Sequence, residues 1–344
     1  MSTPSASSQS ADMYWLVAAA HALVAGDRGL LAADESIPTC NRRFARLGIA
    51  QDEPARRAYR EMIVTTPGLG DFISGVILCD ETIREATSDS VPFLEVLANA
   101  AILAGIKVDL GAKPLTGHPG EKVTEGLDGL RERLVEYAAM GARFAKWRAV
   151  FGIGDAIPSR ACIEANAQAL ARYASLCQEG GLVPIVEAEV LMAGDHSLAE
   201  CDRTTEAVLR EVFAQLRAEG VVLEAMLLKP NMVISGADYP VQQPADSVAA
   251  ATLDCLREVV PAAVAGIAFL SGGQTGDLAT ARLAAMNAPG LTPAPWPLAF
   301  SFGRAIQEPA LTIWGGDDAQ VRRAQQALLQ RAGSNRDARR GIHQ

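Results

Sequence analysis

The sequence predicts one α/β domain folded as a (β/α)8 TIM barrel, with an N-terminal helix in front and a short C-terminal helix and tail behind. Three observations predict it. Short β-rich segments alternate with helical patterns through the whole chain, at intervals of roughly 30–40 residues, as in a parallel sheet with helical crossovers. Eight such units in 344 residues fit a closed barrel, although the length alone also allows two ordinary domains. Charged or glycine-rich residues close nearly every strand segment, and barrels keep their chemistry at the C-terminal ends of strands. An open doubly wound sheet is the alternative. It calls for a Gly-rich dinucleotide turn after the first strand, and Ala33-Asp34-Glu35-Ser36 is not one.

Taken in order, residues 1–11 are Ser-rich and expected to be disordered. Residues 12–332 make the barrel domain, and 333–344 are a polar, mobile tail. The run Tyr14 to Ala25 is apolar, but no Lys or Arg precedes it, so it lacks the basic region of a signal peptide. Its Leu16, Ala19, Ala20, Leu23, Val24 spacing fits one face of an amphipathic helix. The strand segments are Gly29–Asp34, Phe72–Leu78, Gly105–Asp109, Phe144–Arg148, Pro184–Glu189, Ala225–Lys229, Gly266–Ser271 and Pro297–Phe302. Helical patterns cover Val91–Ala104, Leu127–Ala139, Cys162–Gln178, Thr204–Ala218, Pro244–Val260, Leu278–Met286 and Ala319–Ala332. Pro114–Gly126 and Asn287–Pro297 are expected to be surface loops.

Half the residues are apolar and a fifth are charged, which is a soluble globular composition. The formal net charge of −9 argues against a nucleic-acid or anionic-membrane surface. The six cysteines form no CxxC pair and fit reduced thiols in the cytoplasm. No run is long enough to span a bilayer. The four histidines form no HxH or HExxH arrangement, so no metal is expected.

The chemistry starts from Leu227-Leu228-Lys229-Pro230-Asn231, a lysine at the end of an apolar run. A lysine snorkelling out of a strand is the bland explanation. Desolvation and a neighbouring cation favour the neutral amine, which adds to carbonyl carbon and gives a Schiff base. Other strand ends carry Asp34, Lys107, Asp109, Lys146, Arg148, Glu187 and Glu189. Residues two apart on a strand share a face, so these charges are expected to converge in one mouth. Ser271-Gly272-Gly273 and Ser301-Phe302-Gly303-Arg304 fit the phosphate sites that barrels often place after strands seven and eight. Ser36, Thr39 and Arg43, with Lys107 and Arg148 across the mouth, imply a second anion site; Ser36 and Thr39 also fit helix caps. Two anion sites flanking an imine-forming lysine suggest a sugar bisphosphate.

With these residues laid out, the chain resembles class I fructose-bisphosphate aldolase from about Tyr14 to about Ala332. The matching motifs are Leu31-Ala32-Ala33-Asp34-Glu35-Ser36, Gly105-Ile106-Lys107-Val108-Asp109 and Phe144-Ala145-Lys146-Trp147-Arg148. Val183-Pro184-Ile185-Val186-Glu187, Leu227-Leu228-Lys229-Pro230-Asn231-Met232 and Phe269-Leu270-Ser271-Gly272-Gly273-Gln274 continue them. The resemblance implies a covalent lysine imine, no metal or other cofactor, and small sugar phosphates as partners. It also implies a cytoplasmic homotetramer working in glycolysis or gluconeogenesis. Lys229 would form the imine, Glu187 dehydrate the carbinolamine, Lys146 hold Glu187, and Asp34 take the C4 hydroxyl proton. Glu189 would orient the lysines. Ser271, Gly272, Gly273, Ser301, Gly303 and Arg304 would hold the C1 phosphate. Ser36, Thr39, Arg43, Lys107 and Arg148 would serve the other phosphate and the hydroxyls.

Two departures stand out. Thr39 replaces the serine of the animal pattern. The family's closing tyrosine has no counterpart, since no tyrosine follows Tyr239 and the sequence ends Ile342-His343-Gln344, with His343 as the candidate substitute. Three other readings compete: a metal-dependent aldolase, a transaldolase-like or deoxyribose-phosphate aldolase-like enzyme with a single phosphate site, and a catalytically inert binding scaffold.

Overall fold

All eight expected strands form, and they close on one another. The computed structural model describes residues 6–343, with side chains over 13–343. The strands are β1 (Gly29–Ala32), β2 (Ile73–Leu78), β3 (Leu103–Lys107), β4 (Ala112–Pro114), β5 (Lys122–Thr124), β6 (Phe144–Phe151), β7 (Val183–Val190), β8 (Leu227–Pro230), β9 (Gly266–Phe269) and β10 (Leu298–Phe302). The barrel order is β1-β10-β9-β8-β7-β6-β3-β2, with β2 pairing back to β1 and every ladder parallel. Because helices cover the outside, the strands are buried on both faces and read as nearly continuous apolar runs. Trp147, on the outer face of β6, packs on Tyr173 of the helix Arg160–Glu179 with ring centroids 5.6 Å apart.

The inside of the barrel has two storeys, set by the two-residue period of each strand. In the lower storey Leu30, Ile77, Phe144, Val183, Ile185, Leu227, Ala268 and Ala299 make an apolar cluster. The helix Ala6–Val24 closes this end with Leu16, Ala19, Ala20, Leu23 and Val24, the face expected from their spacing. Burying each larger member is worth about 2 kcal/mol. Phe144 fills the middle, and Gly105 makes room for it: a Cβ there would run into the phenyl ring. One step further along the same faces the residues become charged, and the upper storey begins.

The differences from expectation lie at element ends. Residues 1–5 of the supposed disordered tail fall outside the described residues, but the helix already starts at Ala6. Once its second half is docked, nucleation is already met and backward extension is cheap. The helix expected over Val91–Ala104 is Phe93–Asn99, and the chain turns away just beyond it at Ala101, whose φ is 54°; the remaining apolar residues enter β3. The loop expected over Pro114–Gly126 contains part of an antiparallel β4–β5 hairpin. The tail expected to be mobile from 333 continues a helix from Val321 to Arg339. Asn335 is buried there and bonds Thr280 at 2.9 Å, while Arg339 donates to the carbonyl oxygens of Val24 and Leu298. Polar composition misled because these polar groups find partners inside the fold, Asn335 at the Thr280 hydroxyl and Arg339 at backbone carbonyls. Among the described residues no helix is long and apolar enough to cross a membrane.

Candidate active site

Alternation carries each inner strand face from apolar floor to charged rim: 144 to 146 and 148 on β6, 183 to 185, 187 and 189 on β7, 227 to 229 on β8. Register does the rest. Lys107 stands opposite Lys146, Arg148 opposite Glu187, and Glu187 opposite Lys229. Parallel neighbours lie about 4.8 Å apart, so facing charges meet without any loop rearrangement. They line a cavity of about 480 Å³.

Lys229 is 4 % exposed, with Nζ 3.2 Å from Glu187 Oε1. The other oxygen of Glu187 lies 3.2 Å from Lys146 Nζ. Lys146 Nζ is in turn 2.7 Å from Asp34 Oδ2. The four groups form a chain Lys229–Glu187–Lys146–Asp34 in which each carboxylate touches at least one ammonium. Burial would raise both carboxyl groups, but the lysines reverse it. Asp34 is brought down from 3.8 to about 2 by Lys146 and Lys229, and Glu187 is lowered by the same two cations and Arg148. Burial would lower Lys146, but Asp34 and Glu187 overcome it and raise it above the usual lysine range. Lys146 is therefore a fixed cation, serving as an electrostatic clamp.

Glu189 Oε2 accepts from Arg148 Nε at 2.6 Å. Asp109 takes Lys107 Nζ on Oδ1 at 2.6 Å and the Arg148 backbone N–H on Oδ2 at 3.2 Å. The β4–β5 hairpin braces the same strand, since Thr124 Oγ1 donates to the Arg148 carbonyl at 2.8 Å.

The strand-seven end turns through Ser271-Gly272-Gly273-Gln274. Gly272 and Gly273 have φ of 54° and 88°, and the Gln274 N–H closes the turn on the Ser271 carbonyl at 2.9 Å. Two successive positive-φ residues are the pattern of a I′ turn and leave backbone N–H groups free for an anion. Ser301 Oγ is buried on the cavity wall with no protein partner among the described residues. The helix Arg304–Trp314 begins beside it, adding a helix N-terminus to the Arg304 guanidinium.

All the expected site residues line this cavity except Arg43 and Gly273. Gly273 and Arg43 lie just behind, in an adjoining cleft with Thr39, Arg42 and Arg304. Arg43 stands at the back of that cleft. It is buried, paired with Glu35 and Glu308, and donates to Gln307. Arg42, which the sequence reading passed over, lines the main cavity and donates to Thr39 Oγ1 at 2.9 Å. The signal was in the helix phase: Cys40 and Phe44 mark the buried face of the helix Ile37–Arg46, which draws 43 inward and leaves 42 free. His343 lies in a separate cavity of about 90 Å³ with Asp277 and Arg331. Among the described residues no group of three or more His, Cys, Asp or Glu could hold a metal ion.

A model of the family described as fructose-bisphosphate aldolase class-I matches residues 15–344. A probable fructose-bisphosphate aldolase class 1 of Xanthomonas campestris is 54 % identical over 321 residues, covering 93 % of this chain and 96 % of its own. The cytosolic fructose-bisphosphate aldolase 6 of Arabidopsis thaliana is 48 % identical over 316 residues, covering 92 % and 88 %. A solved Plasmodium falciparum fructose-bisphosphate aldolase, in complex with TRAP and a small-molecule inhibitor, superposes with a TM-score of 0.95 at 43 % identity, covering 97 % of this chain and 96 % of that one.

Proposed function

The chain belongs to the class I fructose-bisphosphate aldolase family, which reversibly cleaves fructose 1,6-bisphosphate through a lysine imine in glycolysis and gluconeogenesis, and from that premise we propose that Lys229 carries the imine and Glu187, Lys146 and Asp34 serve it. The observation that carries the assignment is the buried contact of Lys229 with Glu187 at 3.2 Å, at the centre of the closed mouth.

Glu187 takes a proton from the Lys229 nitrogen 3.2 Å away, the freed amine adds to the C2 ketone, and Glu187 returns that proton to the carbinolamine hydroxyl, which leaves as water. The iminium then accepts the C3–C4 electron pair as Asp34 takes the C4 hydroxyl proton. Glyceraldehyde 3-phosphate departs, leaving the enamine of dihydroxyacetone phosphate. A proton added at C3 and hydrolysis of the imine free the second product. Lys146 holds Glu187 and Asp34 together and balances the charge passing between them, and Glu189 keeps Arg148 in place. Ser271, Gly272, Gly273, Ser301, Gly303 and Arg304 take the C1 phosphate. Ser36, Thr39, Lys107 and Arg148 take the other phosphate and the hydroxyls, with Arg42 and Arg43 beside Thr39. The class is the metal-independent one, and this chain uses no metal or other cofactor, acting as a cytoplasmic homo-oligomer, a tetramer, on sugar phosphates.

Borohydride added with dihydroxyacetone phosphate inactivates the enzyme irreversibly, and a chelator alone leaves it active. Inactivation by chelator without borohydride trapping would overturn the assignment. Lys107→Ala raises KM for the bisphosphate about tenfold or more, the size of one charge-assisted hydrogen bond, and changes KM for fructose 1-phosphate little. Equal effects on both substrates would favour an enzyme with one phosphate site.

A further inference from the structure

Four arginines are buried among the described residues. Arg43, Arg56 and Arg60 each face a carboxylate: Glu35, Glu81 and Glu35 again. Arg282, on the helix Gly276–Met286, does not. It is 4 % exposed, its Nη1 donates to the neutral Gln274 Oε1 at 2.7 Å, and its Nε has no partner among the described residues. Burial without an offsetting acid lowers it from the usual guanidinium range. An uncompensated buried charge is expensive and persists where something repays it.

Gln274 is the residue that closes the Ser271–Gly273 turn, and its Nε2 also reaches Met232 Sδ at 3.7 Å, three residues after Lys229. We propose that Arg282 is a positioning residue for phosphate binding: it braces the glycine turn through Gln274 and holds behind it a positive charge that the bound phosphate balances. This rests on the assignment of that turn to the C1 phosphate. A dianion in the turn sits one side chain away from the guanidinium in a low-dielectric setting, where the attraction is weakly screened. The bound phosphate supplies the counter-charge that the protein's own residues do not.

Two variants test it. Arg282→Met removes the charge. Gln274→Glu gives Arg282 a carboxylate, strengthening the local contact while cancelling the charge, and so remains informative if Arg282→Met does not fold. Each is expected to raise KM for fructose 1,6-bisphosphate and fructose 1-phosphate alike by about tenfold, with kcat within about threefold. Each is also expected to shrink the rise in Tm produced by inorganic phosphate. Unchanged KM values and an unchanged phosphate shift in Gln274→Glu would reduce Arg282 to a brace of the fold and overturn the proposal. Borohydride trapping of the wild type separates this result from failure of the site assignment, because trapping does not depend on Arg282.

Discussion

Replacing Lys229 by methionine is expected to lower cleavage by about 10⁴-fold or more, the scale of a lost covalent nucleophile, and to abolish borohydride trapping. Methionine keeps much of the lysine stem's shape, so the wall of the cavity stays filled. What disappears is the nitrogen 3.2 Å from Glu187. Without it the C3–C4 electrons have only the ketone to enter, a poorer sink than a protonated imine. Glu187 keeps Lys146 as its partner at 3.2 Å, so the loss reads as lost chemistry rather than unfolding. A coupled assay for triose phosphates, alongside a thermal melt, checks both halves. Residual cleavage within tenfold of wild type would place the imine on another lysine.

Asp34→Asn is expected to separate the two halves of the reaction. Asparagine keeps the size of the side chain but cannot take the C4 hydroxyl proton, so kcat for cleavage falls by about 10²- to 10⁴-fold. In the proposed mechanism imine formation uses Glu187, so trapping with dihydroxyacetone phosphate is expected to survive. Loss of trapping together with cleavage would show that Asp34 mainly holds Lys146. The variant also reports on acid stability. The folded-state value of Asp34, about 2, lies below its ordinary 3.8. A carboxyl depressed in this way stabilises the fold in its ionised form. That contribution, on the order of 2 kcal/mol, is complete above about pH 4 and fades as pH falls towards 2. Urea midpoints measured from neutral pH downward should show an acid limb in the wild type that is shallower in Asp34→Asn.

Much of this site could be read before any coordinates. Charges two apart at strand ends must share a face, and closure brings neighbouring strand ends together, so Asp34, Lys146, Glu187 and Lys229 followed from period and topology. Arg42 and Arg43 were harder, because both lie one turn from Thr39 and only the buried pair Cys40 and Phe44 decides between them. The β4–β5 hairpin was hidden in a run of Gly, Pro and Thr, whose pairing depends on register rather than apolar pattern. The helix to Arg339 was missed for a related reason: Asn335 and Arg339 find their partners in residues far away in sequence. The Arg282–Gln274 contact left no mark in the sequence, since a lone arginine on a helix looks like any solvated charge.

The split of the barrel interior into a dry floor and an ionic rim implies a division of labour along a single axis. Phe144, Gly105 and the helix beneath them pack the apolar floor and stand outside the lining of the charged cavity. The same strands, one or two residues later, supply chemistry and tolerate unfavourable charge because the floor holds them in place. Substrate preference could therefore be rebuilt at the rim without touching what keeps the molecule folded, and heat tolerance could be raised from below without altering turnover.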